Sequence, residues 1–143
     1  MNHPTRKVVF VFGSNLAGIH GAGAAKEAAL YWGAERGVGR GITGNSYAIP
    51  TKDRNIRTLS LDRIAEYFDD FMQYVGQHPD TLFLLTPIGT GLAGYSIEDI
   101  MKTTKVFTNP PRNLWFTGDW YRPAVDMVID RTKQLYDARD RGR

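Results

Sequence analysis

Residues 82–99 read LFLLTPIGTGLAGYSIED, and the order of features in that stretch decides the fold class. Leu82-Phe83-Leu84-Leu85 is an apolar run too short for a helix, ended by Pro87, which is how a strand buried on both faces reads. Gly89-Thr90-Gly91-Leu92-Ala93-Gly94 then fits the pattern G-x-G-x-x-G. Ser96 follows with Asp99 three residues on, ahead of Ile97, Ile100 and Met101, a capping signal that opens a helix. Strand, glycine loop and helix start together give the pattern its meaning. Glycines let main-chain N–H groups approach a ligand, and a helix N-terminus favours an anion there. Gly89, Thr90, Gly91, Leu92 and Ala93 are therefore candidate phosphate-binding positions; the alternative is a tight turn with no ligand.

Working outward, residues 8–12 read VVFVF, a second buried strand running into Gly13-Ser14-Asn15. In open α/β sheets the carboxyl ends of the strands are where ligands bind, which makes Asn15 a candidate. Gly18, Gly21, Ala22 and Gly23 form a small-residue loop, and the alanine-rich run after it is a helix former. Two glycine loops, each after a buried strand, can face one another across one sheet edge; the alternative is a close-packed surface with no ligand. Gly39 to Gly44 fits the same glycine pattern, but a strand, not a helix, follows, and the stretch reads as a mobile loop. Residues 46–50 predict a short strand with Lys52 and Asp53 at its end. A lysine there can donate to a phosphate or ribose, or serve as a catalytic amine when desolvated. It can equally be a solvated turn charge.

Ser60 caps a predicted helix whose apolar Leu61, Ile64, Phe68, Phe71 and Val75 follow the helical period and read as core. Gly76 is expected to end it, and His78 to be a surface loop residue. A helix from Ser96 to about Phe107, a strand over 113–116 and a helix over 124–139 complete the chain. The last helix carries an apolar stripe through Val125, Val128, Ile129, Leu135 and Tyr136 that is expected to pack on the sheet or on a second copy of the chain. Strand and helix thus alternate, which predicts one three-layer α/β/α domain over 1–143 with a mostly parallel sheet and 121–143 as a helical extension.

Composition sets the exclusions. The 143 residues carry a net charge of +3 and a pI near 9.3, which suits an anionic ligand but does not argue for nucleic acid. The absence of cysteine removes disulfides and thiolate metal sites, and three scattered histidines give no metal-ligand spacing, so neither metal nor cofactor is expected. No apolar run reaches the length of a membrane span, so the expectation is a soluble cytoplasmic protein. With 49 residues left after Gly94, there is too little chain for the rest of a six-stranded dinucleotide-binding sheet.

The arrangement resembles the macrodomains, which bind ADP-ribose. The strand ending in Asn15, the loop over 18–25 and Pro87-Ile88-Gly89-Thr90-Gly91-Leu92 look like that family's first strand and its two ligand loops. Longer blocks, FGSNLAGIHGAGAA at 12–25 and SYAIPTKD at 46–53, resemble those of small stand-alone phage and bacterial proteins of the same type. The resemblance implies binding of ADP-ribose or a related NAD-derived nucleotide diphosphate, with diphosphate on the N–H groups of residues 89–93 and the distal ribose near Asn15 and Gly21 to Gly23. Ile49-Pro50-Thr51-Lys52 also resembles the segment of a glycohydrolase branch in which a lysine attacks that ribose, implying Lys52 as its counterpart. The acid which that branch carries after G-x-G-L is replaced here by Ala93, leaving Asp53 as the substitute proton carrier. Three outcomes stay open: a binding module, an ADP-ribosyl glycohydrolase, and an interaction protein with an empty pocket.

Overall fold

The computed structural model describes residues 7–89 and 93–120, together with 126, 129, 130, 133–135, 137 and 138. The expected helix over 124–139, and the extension over 121–143, lie largely outside the described residues. The elements follow in the order β1 (Val8–Asn15), α1 (Gly23–Tyr31), β2 (Gly41–Thr43), β3 (Ser46–Lys52), α2 (Leu61–Gln77), β4 (Leu82–Leu85), α3 (Ile97–Thr103) and β5 (Leu114–Phe116). One five-stranded sheet has the order β2-β3-β1-β4-β5, parallel except where β2 runs antiparallel to β3.

That order follows from the right-handedness of parallel crossovers. The chain leaves β1, passes through α1 and adds β3 on one side; it then passes through α2 to add β4 on the other side of β1. Successive right-handed connections in opposite directions put their helices on opposite faces. Val9, Val11, Ile49, Phe83 and Leu85 point to one face and form a core with Ile64, Phe68, Phe71 and Val75 of α2. Phe10, Phe12 and Ala48 point to the other and pack on Ala28 of α1, with Trp32 stacked on Phe10 at 5.2 Å. Each fully buried Phe or Ile of this kind contributes about 1.5–3 kcal/mol before ordering costs.

The structure departs from the sequence reading in several places. β1 continues past Phe12 to Asn15, because Gly13 and Ser14 still pair with Ile49 and Pro50 of β3. β4 is not buried on both faces: Phe83 and Leu85 are buried, whereas Leu82 and Leu84 are half-buried. Its register partner on β5, Trp115, is 61% exposed, since α1 lies over β1 and β3 and does not reach this end of the sheet. The stretch read as a mobile loop contains β2, an edge strand. β3 runs two residues beyond Pro50, which is tolerated because Pro50 lies past the last β2 pair, Gly41↔Ala48, where no ladder bond is lost.

Helix ends differ too. Ser60 accepts from the Arg63 N–H at 3.2 Å, as its position implied, but α2 runs one residue past Gly76. His78 is no free surface residue: it stacks on Tyr74 at 4.0 Å and bonds the Tyr74 carbonyl at 2.8 Å. Ser96 and Asp99 make the reciprocal cap expected of them, but α3 stops at Thr103. Extended Thr104 then caps a separate 3₁₀ turn, Lys105–Phe107, by accepting from the Val106 N–H. Asn113 precedes β5 and works as a buried node, its amide within 3.2 Å of the Val75, His78 and Thr81 carbonyls.

The glycine-rich segment before β2 owes its composition to packing. Gly39 is buried against β1, and a Cβ there would overlap the carbonyl oxygen of Asn15. Gly39→Ala is expected to lower stability by roughly 3 kcal/mol or more, since the backbone must move apart. Gly76→Ala meets no atom within 4 Å in α2 and is expected to raise stability by roughly 0.5 kcal/mol. Thermal melts of the two variants beside the parent check both expectations.

Candidate functional site

The carboxyl ends of β3, β1 and β4 open into a cleft of about 370 Å³ at the point where the strand order reverses. Gly13, Ser14 and Asn15 come from β1, Thr51 and Lys52 from β3, and Pro87, Gly89 and Ala93 from the segment after β4. The remaining walls are Ile56 and the loop from Ile19 through Gly21 to Ala25, which includes the first turn of α1.

Asn15, Gly21, Ala22, Gly23, Lys52, Gly89 and Ala93, all singled out in the sequence, are thus brought to one cleft. Thr90, Gly91 and Leu92 lie outside the described residues. Gly18 is a support, not a lining residue. At φ +70 its backbone lies against Gly37, it bonds Asn15 through its N–H at 3.0 Å, and its carbonyl accepts from Gly37 at 2.9 Å. No side chain fits in that space, and a non-glycine residue would also be strained there.

Asn15 is more committed than the sequence implied. Its Nδ2 donates to the Ile19 carbonyl at 2.9 Å, while its Oδ1 accepts from the Ile19 N–H at 3.0 Å. The side chain thereby closes the loop on itself, leaving one N–H and one lone pair for anything else. His20, next along, packs perpendicular to the Phe12 ring at 5.3 Å and bonds the Glu35 carbonyl at 3.0 Å, which pins the loop to the body.

Asp53 corrects the sequence reading. The strand ends at Lys52, and the Asp53 carboxylate folds into its own turn, where Oδ1 accepts from Asn55 N–H at 2.8 Å and Arg57 N–H at 2.9 Å. It does not line the cleft, so a proton-transfer role beside Lys52 has no geometric basis. The short side chain of Asp favours this kind of turn, a signal present in the sequence but outweighed by its proximity to the lysine. With Ala93 at the other rim, no carboxylate stands beside Lys52 among the described lining residues.

Main chain and side chain both contribute positive charge at the cleft. α2 and α3 begin with Ser caps and acids in the first turn, whereas α1 begins at Ala22 with neither a side-chain cap nor a first-turn acid. Its leading N–H groups therefore carry uncompensated positive charge toward the cleft. Lys52, half-buried, is the cationic side chain among the described lining residues. Burial, reinforced by Asp70, pushes the Tyr47 phenol up to about 12, and Tyr47 belongs to the core. Among the described residues no group of three or more His, Asp or Glu could hold a metal ion, and no helix is long and apolar enough to cross a membrane.

Ile19, Ala24 and Ala25 fall within the loop over 18–25 but were not singled out there, and Gly13, Ser14, Thr51, Ile56 and Pro87 line the cleft without having been named as site residues, because nothing in their local pattern marks them. No protein-family model, no curated protein and no solved structure matches this chain.

The hydrogen-bonding geometry generates a test of the two side-chain clasps. Asn15→Ala and Asp53→Ala are each expected to lower stability by about 1–2 kcal/mol, because two backbone bonds are lost in each. Asp53→Asn keeps the Oδ1 acceptor and should cost well under half as much. Denaturant titration of the three proteins measures the difference.

Proposed function

We propose that this chain is a macrodomain-like module that binds ADP-ribose or a related NAD-derived nucleotide diphosphate. The observation that carries the reading is the uncapped N-terminal turn of α1 in a glycine-walled cleft that also holds Lys52. In this reading the diphosphate accepts hydrogen bonds from main-chain N–H groups of that turn and of Gly89, and Lys52 supplies a compact charge beside them. Hydrogen bonds to charged groups are worth about 1.5–3 kcal/mol each. Less the cost of ordering a ligand, several of them support a micromolar dissociation constant, about −8 kcal/mol.

Binding is favoured over hydrolysis. An attacking Lys52 needs a neighbouring group to move protons, and general acid–base help is typically worth about 10²–10⁴-fold. Ala93 has no proton to give, and the Asp53 carboxylate is turned into its own loop. The reading is therefore of ligand retention with little or no cleavage of ADP-ribosylated side chains.

Calorimetric titration with ADP-ribose tests the proposal, and an absence of heat with a folded protein would refute it. A sharper form uses Ala24→Glu in the first turn of α1. The added carboxylate should stabilise the helix by about 0.3–1 kcal/mol through its dipole, yet weaken ADP-ribose at least tenfold by occupying and repelling the phosphate position. A melting temperature that rises while affinity falls distinguishes loss of the site from loss of the fold. Lys52→Ala is expected to weaken binding about tenfold, the worth of one charge-assisted contact. Mass spectrometry of a modified glutamyl peptide should show no release of ADP-ribose; release that vanishes in Lys52→Ala would establish the glycohydrolase instead.

A further inference from the structure

Two side chains in the cleft do not belong to a bare phosphate site. Ile19 is 48% exposed and Ile56 is 43% exposed, and both line the cleft. Each stands four residues beyond a member of the register pair Asn15↔Lys52, so their turns leave neighbouring strands at one sheet edge. Single exposed isoleucines are ordinary on a protein surface. These two differ in how they are held. Ile19 is the residue whose N–H and carbonyl are both clasped by Asn15. Ile56 sits between the two N–H groups that the Asp53 carboxylate binds, and its own N–H bonds the Asp53 carbonyl at 3.1 Å.

Ile56 also has φ +62, and among the described residues it is the one non-glycine with positive φ. A β-branched side chain crowds its own backbone there. Such strain persists only where the surroundings impose it, and it gathers at ligand clamps. The cleft's hydroxyls meanwhile are committed within the protein. Ser14 Oγ donates to the Gly39 carbonyl, and Thr51 Oγ1 donates to the Ser14 carbonyl at 3.2 Å. Apart from Lys52 and the one N–H and one lone pair left on Asn15, the described lining side chains offer little to read the hydrogen-bonding edge of a ligand, whereas two apolar side chains are on offer.

We infer that Ile19 and Ile56 form an apolar seat for a planar nitrogen heterocycle carried by the phosphate ligand, held through ring area and not through its edge pattern. The inference rests on the anion site proposed above and names a second part of its ligand. A nucleobase and a nicotinamide ring share this chemistry. Aliphatic side chains carry no donor or acceptor, so adenine and guanine should be held alike, while a ligand with no ring gains nothing from the seat.

The test titrates the parent protein and Ile56→Asn with ADP, GDP, NAD and inorganic pyrophosphate. Asn adopts positive φ with less strain, so this variant is expected to melt no lower than the parent, which separates binding from folding. In the parent, ADP and GDP should bind within roughly threefold of each other and both more tightly than pyrophosphate. Ile56→Asn should weaken both nucleotides by about tenfold and leave pyrophosphate unchanged. Loss for NAD with none for ADP or GDP would assign the seat to nicotinamide, still as inferred. Equal loss for pyrophosphate, or no loss for any ligand, would overturn the seat while leaving the anion site standing. A parent that binds none of the four overturns the seat, while the anion site stands or falls with the ADP-ribose titration above.

Discussion

The close approach of Gly39 to the end of β1 is the constraint on which the cleft depends. With no Cβ in the way, the backbone of Gly39 lies on the carbonyl of Asn15, and the Ser14 hydroxyl bonds the Gly39 carbonyl from the same strand end. Gly37 and Gly18 repeat the arrangement one step further along, joined by a 2.9 Å backbone bond. Together these contacts hold the chain where it leaves the sheet. Asn15 can then close on Ile19, and α1 can start with its first turn lining the cleft. A bulkier residue at Gly39 or Gly18 would push the segment before β2 away from the end of β1 and the loop that follows it.

Within that frame the start of α1 departs from the pattern of the other two helices. α2 and α3 start with serine caps and first-turn acids, the arrangement that satisfies free N–H groups and the helix dipole. α1 has alanine and glycine in those places and gives up that stabilisation. Ile56 keeps a strained backbone, and two isoleucines stand in water. Backbone strain and local rule-breaking of this kind are more frequent at functional sites than elsewhere in a fold. The supporting contacts are correspondingly firm. Thr58 reaches the Ala93 carbonyl at 3.4 Å and Tyr95 bonds the Leu59 carbonyl at 2.7 Å, which join the turn carrying Ile56 to the segment following β4.

What the sequence determined by itself is whatever rests on near neighbours. The apolar runs specified the central strands, the helical spacing of Ile64, Phe68, Phe71 and Val75 specified the buried face of α2, and Ser60 and the Ser96–Asp99 pair marked helix starts that the structure reproduces. Alternation of those elements sufficed for a mostly parallel α/β sheet, and Gly21, Gly23 and Gly89 fell beside its carboxyl edge. Each of these depends on hydrogen bonds or side-chain periods spanning a few residues, so the residues that decide them are adjacent on the chain.

Only the tertiary structure decided the rest. Gly39 looked like a residue of a mobile loop until its distant partner Asn15 was in place. Asp53 looked like a proton carrier until its turn closed upon it, and His78 looked solvated until Tyr74 stacked beneath it. Trp120, fully buried with its indole N–H on the Thr86 carbonyl, and Asn113, bonded to three carbonyls, have no local signature at all. The half-covered face of β4 depends on where α1 lies. These outcomes turn on which remote segments the crossovers bring together, and on how much room is left between their backbones, quantities that no window of neighbouring residues contains.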